Sequence, residues 1–231
     1  MISLSGVGHI YSAGTPWANR ALTGVSATFA PGEGVLIAGV NGSGKSTLAW
    51  ILAGLIVPTE GSAEIDDEPL FEHVGELALL FQHARLQLYR PTVAEDVAYG
   101  TELDPGEVDA ALALVGLDPA EMRDRRIDAL SGGQQRRVAL AGLVARRPPL
   151  LILDEPFAGL DDVARDTLIG VLGRLRHEEG LTVVVVSHDY EGAEAYSDRV
   201  LALRDGRLVA DMPAAEAGGA HGVAELLEEV G

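Results

Sequence analysis

Gly39-Val40-Asn41-Gly42-Ser43-Gly44-Lys45-Ser46 follows the apolar run Val35-Leu36-Ile37-Ala38 and precedes Thr47-Leu48-Ala49-Trp50-Ile51-Leu52-Ala53. The run before it reads as a strand, and the segment after it as a helix closed by Gly54. A glycine-rich loop between a strand and a helix N-terminus suits an anion. Glycines let backbone N–H groups converge, and the helix dipole favours negative charge. The spacing Gly, four residues, Gly-Lys-Ser is that of a phosphate loop. Lys45 would reach the β- and γ-phosphate oxygens of a nucleoside triphosphate, and Ser46 would place its hydroxyl on Mg²⁺. Gly39, Val40, Asn41, Gly42, Ser43, Gly44 and Thr47 would line the phosphates. An ordinary glycine turn would not need all eight positions in register.

The phosphate loop implies only that a nucleoside triphosphate binds; motifs further along select the machine. Leu150-Leu151-Ile152-Leu153-Asp154-Glu155 is an apolar strand ending in two carboxylates, and an open α/β sheet places its ligand at the carboxyl ends of its strands. A helix cap would account for one acid but not for the pair. Asp154 is the candidate Mg²⁺ ligand, and Glu155 the group that polarises attacking water. Val183-Val184-Val185-Val186-Ser187-His188 repeats the arrangement, which makes His188 a candidate γ-phosphate sensor. Gln82, after the run Leu77 to Phe81, could contact the metal and the water. In Leu130-Ser131-Gly132-Gly133-Gln134, Ser131 is a good N-cap, Gly132 and Gly133 permit close backbone approach, and Gln134 to Ala145 reads as a helix. This makes a second N-terminal anion site.

In this order and spacing the motifs resemble those of ATP-binding-cassette (ABC) ATPases over nearly the whole chain. The resemblance implies an α/β P-loop NTPase fold with a RecA-like core, an antiparallel β-subdomain and an inserted helical subdomain. It also implies that Ser131, Gly132, Gly133 and Gln134 of one subunit cover the γ-phosphate held by another, with Asp161 signalling across the dimer. Tyr11-Ser12-Ala13-Gly14-Thr15-Pro16-Trp17 and Gln87-Leu88-Tyr89 through Asp96-Val97-Ala98-Tyr99-Gly100 look like the energy-coupling-factor (ECF) subgroup. There Tyr11 would stack on adenine, and the helical region would face a membrane partner. Arg136-Arg137-Val138-Ala139-Leu140-Ala141-Gly142 and Ala158-Gly159-Leu160-Asp161 fit the same subgroup. Some positions depart from it. His83-Ala84-Arg85 stands where a bulky residue and Pro-Glu are usual, and Asp162 replaces a common Pro, so that Asp162 is expected to cap the next helix. At 231 residues the sequence resembles in length the shorter members of the subgroup, including those linked to biotin or to cobalt and nickel uptake, and no longer C-terminal extension is expected.

A single domain over 1–231 is expected. Short alternating runs over residues 1–36 suggest the antiparallel β-subdomain near adenine, and the core follows to about Gln82. A helical lobe is expected over about 83–146, with Asp104-Pro105 as a cap pair and Val108, Ala111, Leu112 and Val115 on one face. The core resumes at Leu150, with a stripe of Leu168, Leu172 and Leu175 and a turn at Asp205-Gly206. Ala214 to Gly222 reads as a flexible connection. A short helix over about 223–230 carries Val223, Leu226, Leu227 and Val230 on one face and is expected to pack on its own domain.

The composition, 231 residues with 47% hydrophobic, supports a substantial core. Cysteine is absent, which excludes disulfides, thiolate metal sites and cysteine nucleophiles. No run approaches the roughly 18 apolar residues of a span, and no basic signal region is seen. A net charge of −18 argues against a polybasic lipid patch and against nucleic acid as partner. The resemblance therefore implies a peripheral ATPase on the cytoplasmic face of a membrane. It would pair with a second cassette, identical or related, and work with a transmembrane scaffold and a membrane substrate-binding subunit to import a vitamin or transition-metal ion. A soluble ABC ATPase acting on nucleic acid or ribosomes would share the ATP site but normally adds a coiled coil, zinc insertion, basic surface or second cassette. A phosphate-loop kinase would have no use for Leu130 to Gln134.

Overall fold

Alternating apolar positions pair β1 (Ile2–Tyr11) with β2 (Asn19–Phe29) as a hairpin, Ile2 opposite Phe29 and Tyr11 opposite Asn19, in a computed structural model that describes residues 1–228. Gly6, at φ 60°, lies where the pairing shifts register. The resulting bulge lets Ile2, Leu4 and Val7 all reach the interior although their spacing changes. Next come β3 (Gly34–Ala38) and α1 (Lys45–Leu52), which ends as its sequence implies. Gly54 is left-handed (φ 71°), and the amides of Gly54 and Leu55 bond back to Ile51 and Trp50.

The chain then returns to the hairpin. β4 (Glu60–Ile65) and β5 (Glu68–Pro69) complete an antiparallel sheet in the order β2-β1-β4-β5. This differs from the expectation that the antiparallel part ends near residue 36. Only Ala63 of β4 is buried, so no alternating signal marks the strand; its partners Ile2 to Ser5 define it. β6 (Ala78–Leu80) then begins the edge of a second sheet.

The helices α2 (Val93–Val97), α3 (Pro105–Leu114), α4 (Pro119–Met122) and α5 (Gly132–Val144) each start at a capping side chain. The caps are Thr92, Asp104, Asp118 and Ser131. Such short helices are marginal alone, so caps of about 1 kcal/mol each and a shared core decide whether they form. That core joins Val93, Val97, Val108, Leu112, Val138 and Leu140. α5 begins two residues before the expected Gln134, because Gly132 and Gly133 are already helical behind Ser131.

β7 (Leu150–Asp154), α6 (Asp162–His177), β8 (Thr182–Ser187), β9 (Arg199–Arg204) and β10 (Arg207–Pro213) complete the second sheet. Its order is β10-β9-β3-β8-β7-β6, parallel except for β10. Asp161, not Asp162, caps α6. Its extended backbone lets its carboxylate accept from the Ala164 amide at 2.8 Å, while Asp162 is already the first helical residue. Asp205 and Gly206, at φ 48° and 73°, make the two-residue turn into β10. Ala214 to Gly222 is not a flexible connection. A 3₁₀ turn at Ala214–Glu216 is tied to Asp198, Ala217 is buried, and α7 (Gly219–Glu228) has already begun. Val223 and Leu227 of α7 are buried on the domain's own core, and Val230 lies outside the described residues.

The second sheet is covered on both faces. Leu36, Leu151, Leu153, Val183 and Val185 pack toward α5 and α6, whereas Val35, Ile37, Ile152, Val184 and Val186 pack toward α1 and the antiparallel sheet. Burial on both sides explains why these strands are unbroken apolar runs. Each fully buried aliphatic side chain contributes about 1.5–3 kcal/mol. Register brings the carboxyl ends together, with Ala38 opposite Ser187, Asp154 opposite Val186 and Leu80 opposite Leu153. No described helix is long and apolar enough to cross a membrane.

Candidate functional site

The phosphate loop leaves β3 at the centre of this convergence. Two of its glycines are required by space. A Cβ at Gly39 would lie 2.4 Å from the Leu203 carbonyl, and one at Gly44, already at φ 100°, 2.6 Å from the Ala21 carbonyl. α1 has no side-chain cap and no acid in its first turn, so its leading N–H groups are left for an external anion. Lys45 is buried. Its Nζ donates to the Gly39 and Val40 carbonyls at 2.8 and 3.1 Å and lies 3.9 Å from Glu155. Burial lowers its pKa, and the charges of Glu155 and Asp154 oppose that shift only in part. The Ser43 hydroxyl is buried without a partner among the described residues.

The neighbouring strands supply the acids. Asp154 ends β7, and its Oδ1 accepts from the Ser46 hydroxyl at 3.4 Å. Burial raises the Asp154 pKa from its ordinary value, opposed by the Ser46 bond, with the Glu155 charge adding and Lys45 subtracting. Glu155 adopts φ 49°, unusual for a residue with a side chain. Several bonds hold it there. Its amide donates to Val186 O at 2.8 Å, and its Oε2 accepts from Ser187 Oγ at 3.1 Å and from the His188 amide at 3.4 Å. His188 Nδ1 stands 2.9 Å from the other carboxylate oxygen, with the imidazole 52% exposed.

Lys45, Ser46, Asp154, Glu155 and His188 thus meet at one point, and the donor set fits a triphosphate with Mg²⁺. One hydroxyl and one carboxylate oxygen would hold the cation, leaving its other positions to phosphate and water, as a hard octahedral ion prefers. No cluster of three or more His, Asp or Glu that would compete as an all-protein cage occurs among the described residues.

The other candidates sit around this point. Tyr11 Oη is 3.1 Å from Thr47 Oγ1, which ties the end of β1 to the start of α1, and His9 packs edge-on against the Tyr11 ring at 4.6 Å. Gln82 is exposed just past β6; its carbonyl accepts from Arg136. Ser131, Gly132, Gly133 and Gln134 stand at the start of α5, with Ser131 and Gly132 exposed. There Ser131 Oγ accepts from the Gln134 amide at 3.2 Å, and Gln134 Oε1 accepts from the Ser131 amide at 3.0 Å. Gly133 lies against Ala164, beside the Asp161 cap.

Some side chains at the site were not singled out by the motifs. Ser187 orients Glu155. Arg165 clamps Asp189 and the Glu191 carbonyl, bracing the loop that carries His188 to the first turns of α6. Gln87, quoted as part of a partner-facing motif, bonds Phe81 N and Leu79 O at 2.8 Å each and locks the end of β6. A polar residue at the end of an apolar strand is the signal for Ser187. The other contacts cross between elements and leave no local pattern.

Tyr11 allows a direct test. Tyr11→Ala is expected to raise KM for ATP about tenfold with little change in kcat, the size of a lost base-stacking contact. Tyr11→Phe, which keeps the ring face and loses only the Thr47 bond, should cost about threefold or less. Equal effects in a fluorescent-nucleotide titration would assign the role to the hydroxyl.

Residues 22–158 match the family described as ABC transporter. An uncharacterized ABC transporter ATP-binding protein of Mycobacterium tuberculosis is 55% identical over 221 residues, covering 94% of this chain but 31% of its own length. The chain therefore spans about a third of that relative. The energy-coupling factor transporter ATP-binding protein EcfA2 of Symbiobacterium thermophilum is 44% identical over 221 residues, covering 90% of this chain and 76% of its own. Among solved structures, cbiO1 from Clostridium perfringens, part of the ABC transporter complex cbiONQ, superposes with a TM-score of 0.84 at 29% identity over 94% of this chain and 90% of its own. The dimeric, ADP- and phosphate-bound cassette MJ0796 superposes at 0.78, also at 29% identity, over 92% of this chain and 98% of its own.

Proposed function

Because the chain belongs to the ABC transporter family, we propose that it is the ATP-hydrolysing subunit of an ECF-type importer that takes up a vitamin or transition-metal ion. The reading is carried by one observation. Lys45, Asp154, Glu155 and His188 converge around the phosphate loop, while Ser131 and Gly132 stand exposed at the start of α5. A cassette so built has half of a γ-phosphate site and offers the other half to a second cassette. The dimeric MJ0796 and the EcfA2 and cbiO1 relatives support the same reading.

Hydrolysis then follows from the side chains. Lys45 and the free amides of α1 hold the phosphates. Ser46 and Asp154 would hold Mg²⁺, which neutralises charge developing on the phosphate oxygens. Gln82, two residues past β6, would contact that metal and the attacking water. Lys45 and His188 both reach toward Glu155; a triphosphate that draws both toward itself leaves the carboxylate to polarise water for in-line attack. Ser187 keeps that carboxylate aimed.

A membrane partner would meet the exposed apolar side chains around β6. Leu55 and Val57 after α1, Val74 before β6, and Phe81, Leu86 and Tyr89 after it are exposed, with Leu86 72% and Tyr89 69% accessible. A groove of about 240 Å³ runs between Leu55, Val74, Phe81 and Leu143. Apolar patches of this kind mark binding surfaces. The test is affinity purification from membranes. A transmembrane scaffold should co-purify with the full chain, and Leu86→Asp should abolish that association while ATP binding is kept. Stable recovery with ribosomes or DNA instead would overturn the reading.

A further inference from the structure

Arg136 is 8% exposed and has no carboxylate partner among the described residues. Its guanidinium donates instead to three carbonyls, Pro156 O at 2.5 Å, Ala158 O at 3.1 Å and Gln82 O at 3.3 Å, and its buried Nε finds no partner. Burial pushes its pKa down, yet a guanidinium stays charged across the working pH range. A buried cation compensated only by carbonyl dipoles is costly, and an apolar side chain of similar length would fill the space at less cost. What the cation provides is connection, since its three acceptors lie on two separate loops of the site, Gln82 on one and Pro156 and Ala158 on the other.

Gln82 follows β6, Pro156 directly follows Glu155, and Ala158 leads into the Asp161 cap of α6. Arg136 itself stands four residues into α5, whose start is Ser131 to Gln134. One planar side chain therefore ties the helix that serves the opposite nucleotide to the two loops that serve the chain's own. Only guanidinium, with its five donors in a rigid fork, spans carbonyls on two sides at once.

Resting on the cassette dimer proposed above, we infer that Arg136 is the positioning residue that couples the two ATP sites. When Gln82 and the Glu155 loop shift around a bound γ-phosphate, Arg136 carries that shift to the start of α5 and so to the partner's site. Energetic coupling between sites requires such an element, one that both sites bias.

The experiment compares Arg136→Lys, which keeps charge but cannot span three carbonyls, with Arg136→Met, which keeps length without charge. ATP affinity of the isolated full chain, the kcat and Hill coefficient of steady-state hydrolysis, and the melting temperature are measured for each, alone and in a Gln82→Ala background. The lysine variant is expected to leave ATP affinity within about twofold of wild type. Its kcat should fall about tenfold or more, and its Hill coefficient should drop from about 1.5–2 toward 1. In the Gln82→Ala background the same change should cost about threefold or less, because the sensor it positions is gone. An unchanged Hill coefficient in a folded lysine or methionine variant would overturn the inference, as would an undiminished kcat loss in the Gln82→Ala background. Failure of the wild-type chain to hydrolyse ATP when paired with a second cassette, identical or related, would instead overturn the cassette reading, which separates the two.

Discussion

Glu155→Gln is expected to lower steady-state ATP hydrolysis about 100-fold or more while ATP binding is retained, with a closed dimer accumulating in the presence of ATP. The amide is isosteric and can still accept from Ser187 Oγ, so the φ 49° backbone and its bond to Val186 stay in place. The negative charge that polarises water is what disappears, and a positioned base typically contributes 10²–10⁴ in rate, so about 100-fold is the lower end. Removing that charge also relieves the pull on Lys45 and His188, which should favour their engagement with phosphate. Size-exclusion chromatography with ATP and a phosphate-release assay read both outcomes. Hydrolysis at the wild-type rate would remove Glu155 from its assigned role.

Ser131→Arg should suppress hydrolysis to a similar degree, about 100-fold, as expected when a preorganised donor is lost from a transferring phosphate and a bulky cation takes its place. Two effects are superimposed. Ser131 also caps α5 through its reciprocal bonds with Gln134, and losing a cap costs about 1 kcal/mol, a shift of about 2–4 °C in melting temperature for a chain of this size. Ser131→Asp separates them. Aspartate caps as well as serine does, so stability should be unchanged, but its carboxylate would face the γ-phosphate of the opposite cassette and hydrolysis should still collapse. ATP binding by the isolated subunit should survive both changes. If binding is lost with either, Ser131 acts on its own chain's site or on folding, and the two-cassette geometry fails.

Much of the fold was legible because its signals are local. The apolar runs of β3, β7 and β8, the Gly54 stop of α1, the Asp104-Pro105 start of α3 and the Asp205-Gly206 turn each lie within a few consecutive residues. The misses share a cause. β4 has one buried residue and exists through pairing with β1. The cap of α6 fell on Asp161 rather than Asp162 because the choice depends on which residue the chain holds in extended geometry as it leaves the Glu155 loop. Residues 214 to 222 are small and glycine-rich yet ordered, since Asp198 and the core beneath Ala217 provide what the composition lacks. At the site, residue types and spacing pointed to phosphate chemistry, but Ser187, Arg165 and Arg136 matter through partners between 20 and 54 positions away.

The sequence by itself determined the chemistry on offer: a glycine loop with Lys45 and Ser46, two acids after a strand, His188 after another, and a capped helix start at Ser131. Each is written in contiguous residues whose backbone preferences and side-chain reach act over one turn or one strand. Only the tertiary structure decided how they meet. It placed Ser46 against Asp154 across 108 positions, Glu155 within reach of Lys45, Ser187 and His188, and Ser131 exposed at the start of α5. The physical reason is that parallel strand register and two-sided burial of the second sheet are set by long-range packing, and a pattern confined to neighbouring residues cannot encode which distant strand end will lie alongside.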